Sequence, residues 1–381
     1  MAQRLKTDWI LFITVVLMVL FGSVMVYSAS SVVAAVRHDG ASWYYAVRQL
    51  IWLVVAVPVM MYFKRLHYRN LQTPAVAFTL TGITLMLLVA AYVLDAKQHR
   101  WIRFPLFGGL QPAEFAKPAV AMFLAYFIAL RGRAINSKYT LVPAILALGF
   151  MIAAIVVADL GTPIVLVSTA GAVFMVAGLE RRYFLILVAV GILACVAAVA
   201  AKPYRLVRMV HFVDPQMKLV DKYDKSGWIR RQMNQSVTTK DPNYQIEQSK
   251  IAIGSGGLIG TGLMRGRQKL FYLPESHTDM IFAVVGEEFG LFGSLVVMTG
   301  FLVILWRGIR ASLLVPDDFG RYLALGLTVL MVFQAFFNIS VALDMVPPKG
   351  IPLPMISFGG SSLLVTLASM GVLMNISEHA G

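Results

Sequence analysis

Residues 278–305 read TDMIFAVVGEEFGLFGSLVVMTGFLVIL, an apolar run of 28 residues whose only charges are Asp279, Glu287 and Glu288. About 20 apolar residues cross the hydrocarbon core of a bilayer as a helix. This run therefore spans with residues to spare, and it is expected to tilt or to project above the membrane. Asp279 falls in its first turn, at a water–lipid boundary, where an ionisable side chain is costly to keep without a function. Immediately upstream lies the one long polar stretch of the chain, roughly residues 202–272.

Nine more apolar segments of spanning length precede or follow it, at 9–28, 46–63, 74–94, 113–130, 141–158, 160–178, 183–201, 321–343 and 355–376. Of the 381 residues 59% are hydrophobic and only 14% charged, against about 25% charged in soluble domains. The expected fold is an all-α polytopic membrane protein with about ten transmembrane helices, a single membrane domain over residues 1–381. A large extracytoplasmic loop, residues 202–277, sits between helices 7 and 8. Arg4 and Lys6 ahead of the Trp9–Ser28 run suggest a signal peptide, but the run is long enough to span and reads as an uncleaved first helix. Cys195, the sole cysteine, excludes an intramolecular disulfide and a cysteine metal cluster; inside an apolar run it reads as a small core residue.

Charge sets the orientation. With the N-terminus inside, the cytoplasmic segments collect 13 Lys/Arg and the short outer loops six, so the positive-inside rule puts both termini in the cytoplasm. The long loop then lies outside, and loops beyond about 60 residues escape the rule. From Lys202 to Glu275 it carries 13 Lys/Arg and six Asp/Glu. That excess suits anionic lipid headgroups or the pyrophosphate of a lipid-linked substrate; the formal net charge of +14 does not imply nucleic acid. Within the loop, 214–243 is polar and 244–255 reads as a short amphipathic helix. The glycines that follow, Gly254, Gly256, Gly257, Gly260 and Gly262, imitate a dinucleotide fingerprint, but no strand precedes them. A tight re-entry turn is the expectation.

Polar residues in the spans carry the candidate chemistry. Asp279 reads either as a general base at a dry mouth, where burial tunes a carboxylate towards working pH, or as a first-turn acid suited to the helix dipole, with Ser276 or Thr278 as N-cap. His277 is a second titrating or capping group. Glu114 and Lys117, three apart in QPAEFAK, share a helix face and pair, either to fix packing or to line a cavity. Asp159, in the tight turn before Gly161 and Thr162, is expected to cap the sixth span. Glu287 and Glu288 lie about 12 Å below Asp279; Glu287, nearer the Asp279 face, fits a proton path or a helix–helix hydrogen bond. In PPKGIPLPMISFGGSSLL (347–364) four prolines exclude a helix up to Pro354, Lys349 is available to phosphate, and Ser361 belongs to a small-residue face.

Taken in order, these motifs resemble the SEDS family of cell-wall polymerases, which includes the elongation protein RodA, the division protein FtsW and sporulation relatives. The resemblance covers nearly the whole chain: HRWIRF (99–104), QPAEFAK (111–117), ADLGT (158–162), YRLVR (204–208), YQIEQSKIAIGSGGLIGTGL (244–263), LPESHTDMIFAVVGEEFG (273–290) and PPKGIPLPMISFGGSSL (347–363). The Pro348-Lys349-Gly350 and Gly286-Glu287-Glu288 strings resemble the division branch more than the elongation branch. Ser276, Met280, Phe358 and a long polar insert at 218–243 depart from the usual pattern without removing a charged motif residue.

The resemblance implies a peptidoglycan glycosyltransferase that polymerises lipid II on the outer face of the bacterial cytoplasmic (inner) membrane and releases undecaprenyl pyrophosphate. It implies that Asp279 is the essential aspartate and that Glu114 and Lys117 are the paired charges of the fourth helix. Arg205 and Arg208, with Lys349 or a divalent cation such as Mg2+, are the groups expected to neutralise the pyrophosphate; no other cofactor is expected. A class B penicillin-binding protein, a transpeptidase, and other division proteins are the partners implied. A lipid II flippase, a non-catalytic division scaffold and an elongation role are the rival readings.

Overall fold

The computed structural model describes residues 6–95, 99–104, 108–157, 159–214 and 242–380. Most of the polar insert anticipated at 214–243 therefore lies outside the described residues, as does Ala158 of the ADLGT motif.

Helices α1 (Trp9–Arg37), α2 (Tyr44–Arg65) and α3 (Pro74–Leu94) lead into a two-stranded antiparallel hairpin, β1 (Ile102–Phe104) and β2 (Gly108–Leu110). Then come α4 (Pro112–Arg131), α5 (Lys138–Val156), α6 (Gly161–Val176), α7 (Arg181–Ala200) and the short α8 (Pro203–Val213). After the undescribed insert follow α9 (Pro242–Gly256), α10 (Ile281–Leu314), α11 (Asp318–Ala342) and α12 (Gly360–Glu378). Local chemistry starts several of them. Asp8 accepts from the Leu11 N–H, Thr73 from Val76 and Asp317 from Gly320, and Pro74 and Pro112 occupy first-turn positions, where a missing N–H costs nothing.

Nine of these helices are long and apolar enough to cross a membrane, and the chain is a multi-pass membrane protein. The expected sixth span is the exception. It is a helix of 16 residues, about 24 Å long, opened at Gly161 by the Asp159 turn and closed before Gly178, which has φ +86°. Its inner face packs against α4 and α11, so it reaches less far than the hydropathy pattern predicts. The hairpin before α4 and the helix α8 are also absent from the all-α segment count. α4, α11 and α12 form the buried centre, whereas α7 buries none of its residues. A helix apolar on every side, touching its own protein mainly along α6 and α8, suits a hydrocarbon surrounding.

The 278–305 run is not one continuous helix. α10 extends to Leu314 and breaks at Gly290, whose φ of 63° and ψ of −157° no helix contains. In an unbroken helix Leu291 and Phe292 would donate to the carbonyls of Glu287 and Glu288. Here Leu291 donates to Gly257 O at 2.9 Å and Phe292 to Leu258 O at 3.2 Å. The orphaned carbonyls are taken by Thr261 N–H and Gly262 N–H, each at 2.9 Å. The glycine turn after α9 thus inserts its backbone into the ladder of a membrane helix, which leaves none of these four groups unpaired at depth. Only glycines allow this approach: a Cβ on Gly260, which has φ +90°, would lie 2.2 Å from the Glu288 carbonyl oxygen. Gly260→Ala is expected to cost on the order of 1–3 kcal/mol by overpacking and to lower the thermal transition of the detergent-purified protein. An unchanged transition would mean that the turn yields instead.

Candidate active site

Asp279 lies just before α10, in a turned segment whose backbone is pinned at three successive carbonyls. Phe358 N–H donates to His277 O at 2.9 Å, Ser357 Oγ to Thr278 O at 2.6 Å, and Asn338 Nδ2 to Asp279 O at 2.7 Å. Side-chain capping plays no part in this turn. The N-cap is Met280 with no side-chain bond; Ser276 Oγ donates to Ala29 O at 3.2 Å and Thr278 Oγ1 to the Glu275 carboxylate at 3.0 Å. Ser276 and Thr278 therefore serve the turn and its neighbours, a correction to the capping expected from sequence.

The Asp279 carboxylate rests on Gly350, where a Cβ would come within 2.5 Å of Oδ2. Burial pushes its pKa up to about 7; Arg100 opposes the rise, and the negative charges of Glu275, Asp159 and Glu114 add to it. His277 is buried between Tyr45 and Phe358, at ring-centroid distances of 4.6 and 5.8 Å. Burial holds its pKa below the usual imidazole value, with Glu275 opposing and Arg37 assisting. Its Nδ1 finds no hydrogen-bond partner among the described residues.

Glu114 and Lys117 form a buried pair at 2.7 Å, and Lys117 Nζ also donates to Gln334 Oε1 at 2.7 Å. Gln334 Nε2 in turn donates to Pro352 O at 2.8 Å. The pair is thus wired into the segment that carries Gly350. Ser361 Oγ accepts from Gln111 N–H at 3.3 Å, joining α12 to the mouth of α4. Gln111 in its acceptor orientation takes Arg100 Nε at 3.0 Å.

Asp159 opens α6 with three bonds: from Gly161 N–H at 3.1 Å, Thr162 N–H at 3.0 Å and Thr162 Oγ1 at 2.8 Å. Burial alone would raise its pKa, but Arg100, the Thr162 and Gly161 N–H groups and Lys349 hold it below the usual carboxylate range. Lys349 is pulled down to about 8 by burial, assisted by Arg205, Arg208 and Arg100 and opposed by Asp159.

Two expected site residues have other work. Arg205 is buried and donates to Val156 O at 2.7 Å and Ala198 O at 3.1 Å. It ties off the C-terminal ends of α5 and α7, a favourable place for a cation. Its fixed positive charge acts on Lys349, as does that of Arg208, which is half-buried. Glu287 accepts the backbone N–H groups of Arg267 at 2.6 Å and Gln268 at 3.1 Å. Its neighbour Glu288 pairs with Lys269 at 2.5 Å and accepts from Ser28 at 2.7 Å. Both glutamates fasten the inserted loop.

Sequence reading missed Gln334, Asn338 and Lys269, placed Ser357 only on the small-residue face with Ser361, and gave Arg100 no role. Gln334 and Asn338 stand one turn apart in an apolar span, a polar pair at membrane depth that could have marked them.

The match to a family model described as "Cell cycle protein", the FtsW, RodA and SpoVE group, runs over residues 8–381. The chain belongs to the FtsW/RodA/SpoVE family. A "Probable peptidoglycan glycosyltransferase FtsW" of Geobacter metallireducens is 37% identical over 383 residues, covering 98% of this chain and 95% of the relative. The "Stage V sporulation protein E" of Bacillus subtilis is 34% identical, with 99% of each covered. Among solved structures, a chain from work on "Structural coordination of polymerization and crosslinking by a peptidoglycan synthase complex" superposes with a TM-score of 0.73 at 25% identity, over 98% of both chains. The rod shape determining protein RodA of Thermus thermophilus superposes with a TM-score of 0.66 at 24% identity, over 99% of this chain and 98% of that one, a likeness of fold.

Proposed function

We propose that Asp279 is the general base of a glycan polymerase acting on lipid II in septal wall synthesis. Membership of this family makes the chain a peptidoglycan glycosyltransferase; the roles of individual residues are the present reading. The observation that carries it is a buried carboxylate seated on Gly350, with a pKa raised to about 7 by burial against the opposing charge of Arg100. A base poised near working pH combines a usable ionised fraction with real proton affinity.

In the proposed step, Asp279 takes the proton of the GlcNAc 4-hydroxyl of the acceptor. That oxygen bonds to the anomeric carbon of the donor MurNAc, and the bond from that carbon to the pyrophosphate oxygen breaks. The electron pair leaves with undecaprenyl pyrophosphate, giving an inverted, β-1,4 linkage. The leaving group is already anionic and needs positive charge more than a proton. Lys349 and Arg208 supply it, backed by the fixed charges of Arg100 and Arg205. Among the described residues no group of three His, Cys, Asp or Glu side chains converges to hold a divalent cation such as Mg2+, and the step is not routed through one. Glu114 and Lys117 hold the Gly350 segment through Gln334.

The orientation that fits places both termini in the cytoplasm and this site on the extracytoplasmic face of the cytoplasmic membrane. There a class B penicillin-binding protein would cross-link the product.

The test is a pH profile of glycan formation from purified lipid II. Asp279 must be ionised, so the rate is expected to fall as pH drops through about 7. Lys349 must be charged, so it is expected to fall again above about 8. A rate flat from pH 5 to 7 would remove Asp279 as the base.

A further inference from the structure

We propose that Asn338 is a positioning residue for the reaction: its single amide fixes both the backbone of Asp279 and the platform beneath the Asp279 side chain. Asn338 Nδ2 donates to Asp279 O at 2.7 Å and to Ile351 O at 2.6 Å. Ile351 follows Gly350, the residue on which the carboxylate rests. The two hydrogens of one planar group therefore set the distance between the turn that carries the base and the loop that supports it.

The amide has no freedom to turn over. Its NH2 faces two carbonyl oxygens, so the reverse orientation would set three acceptors against one another. Its Oδ1 is buried and without a partner among the described residues, an uncompensated cost that the two short bonds outweigh. One turn earlier on α11, Gln334 repeats the device, joining Lys117 to Pro352 O at 2.8 Å. The ion pair of α4 and the base before α10 are thus held to the same loop by two amides on one helix face. Misplacing a catalytic group by about 1 Å costs on the order of 100-fold in rate, and Asn338 is the side chain that bonds to Asp279's own residue.

This inference rests on Asp279 being the base, and the experiment separates the two claims. Polymerisation of purified lipid II would be followed across pH for wild type, Asp279→Asn, Asn338→Ala and Asn338→Ser, using protein that elutes as a single species. Around Asp279 the charged groups are Glu275 in its own turn, Arg100 before the hairpin, Glu114 on α4, Asp159 before α6 and Lys349 beside Gly350; none is altered in these variants. Asn338→Ala is expected to lower kcat by about 10–100-fold with KM within about twofold. Its acidic limb is expected to move down by at least about one pH unit, because a released carboxylate gains water and loses the desolvation that raised its pKa. Asn338→Ser, which keeps one short donor, is expected to fall between. If Asp279→Asn is inactive while both Asn338 variants keep the wild-type rate and limb, the positioning role is wrong and the base assignment stands. If Asp279→Asn stays active, the base assignment itself is wrong. Variants that lose rate with an unmoved limb, or never elute as folded protein, would overturn the proposal by making Asn338 a residue of the fold alone.

Discussion

Asp279→Asn is expected to abolish glycan polymerisation while leaving a protein at least as stable as the wild type. The substitution keeps shape and removes the proton acceptor, and general-base catalysis typically contributes 100- to 10,000-fold. The stability side follows from linkage. The folded carboxylate has a pKa of about 7 against 3.8 for an unperturbed aspartate, so the folded protein holds this proton where the unfolded chain has released it. Stability is therefore drained as pH rises from about 4 through 7, and Asn is exempt from the drain. Thermal unfolding at pH 8, run beside the polymerisation assay, checks both halves. An inactive variant with a lower transition than wild type would point to a damaged fold instead of a missing base.

Lys117→Met is expected to be the most destabilising of the single changes considered. Lys117 and Glu114 are each 2% exposed and lie 2.7 Å apart, so removing the cation leaves a buried carboxylate without its partner, a defect worth about 3–5 kcal/mol. The double variant Lys117→Met with Glu114→Gln removes both charges and is expected to recover most of that loss, since buried pairs replaced together are often near neutral. Thermal unfolding in detergent distinguishes the cases. A single variant as stable as wild type would mean that water or lipid headgroups reach Glu114. Activity is expected to suffer in both, because Gln334 loses the ammonium that orients it towards Pro352.

The spans were legible because a bilayer imposes a length and a polarity on each of them, which a single sequence displays openly. Asp279, Asp159 and the Glu114–Lys117 pair were legible for the same reason: charge at membrane depth stands out. What the pattern concealed was decided by contacts between distant segments. Ser28 ended the first span on hydropathy, yet α1 continues to Arg37, and at that expected end Ser28 Oγ and the Ala29 carbonyl bond to Glu288 and Ser276. Arg205 read as a basic loop residue, and its bonds to the ends of α5 and α7 could not be seen in the sequence. Asn338 carries no charge, and although its spacing from Gln334 marks a polar face on the span, its bonds to Asp279 and Ile351 are set by segments far away in the chain.

The interrupted ladder of α10 has a consequence for how this protein is made. When that helix enters the bilayer, Glu287, Glu288, Leu291 and Phe292 hold backbone groups that their own helix cannot satisfy, and their partners lie in a turn synthesised earlier on the polar side. Neither half can reach its final state by inserting alone. The loop must fold back against the helix that follows it in the chain to complete it, so this step of assembly is long-range. A change in that loop far from any substrate would then appear as poor accumulation of the protein before it appeared as poor catalysis.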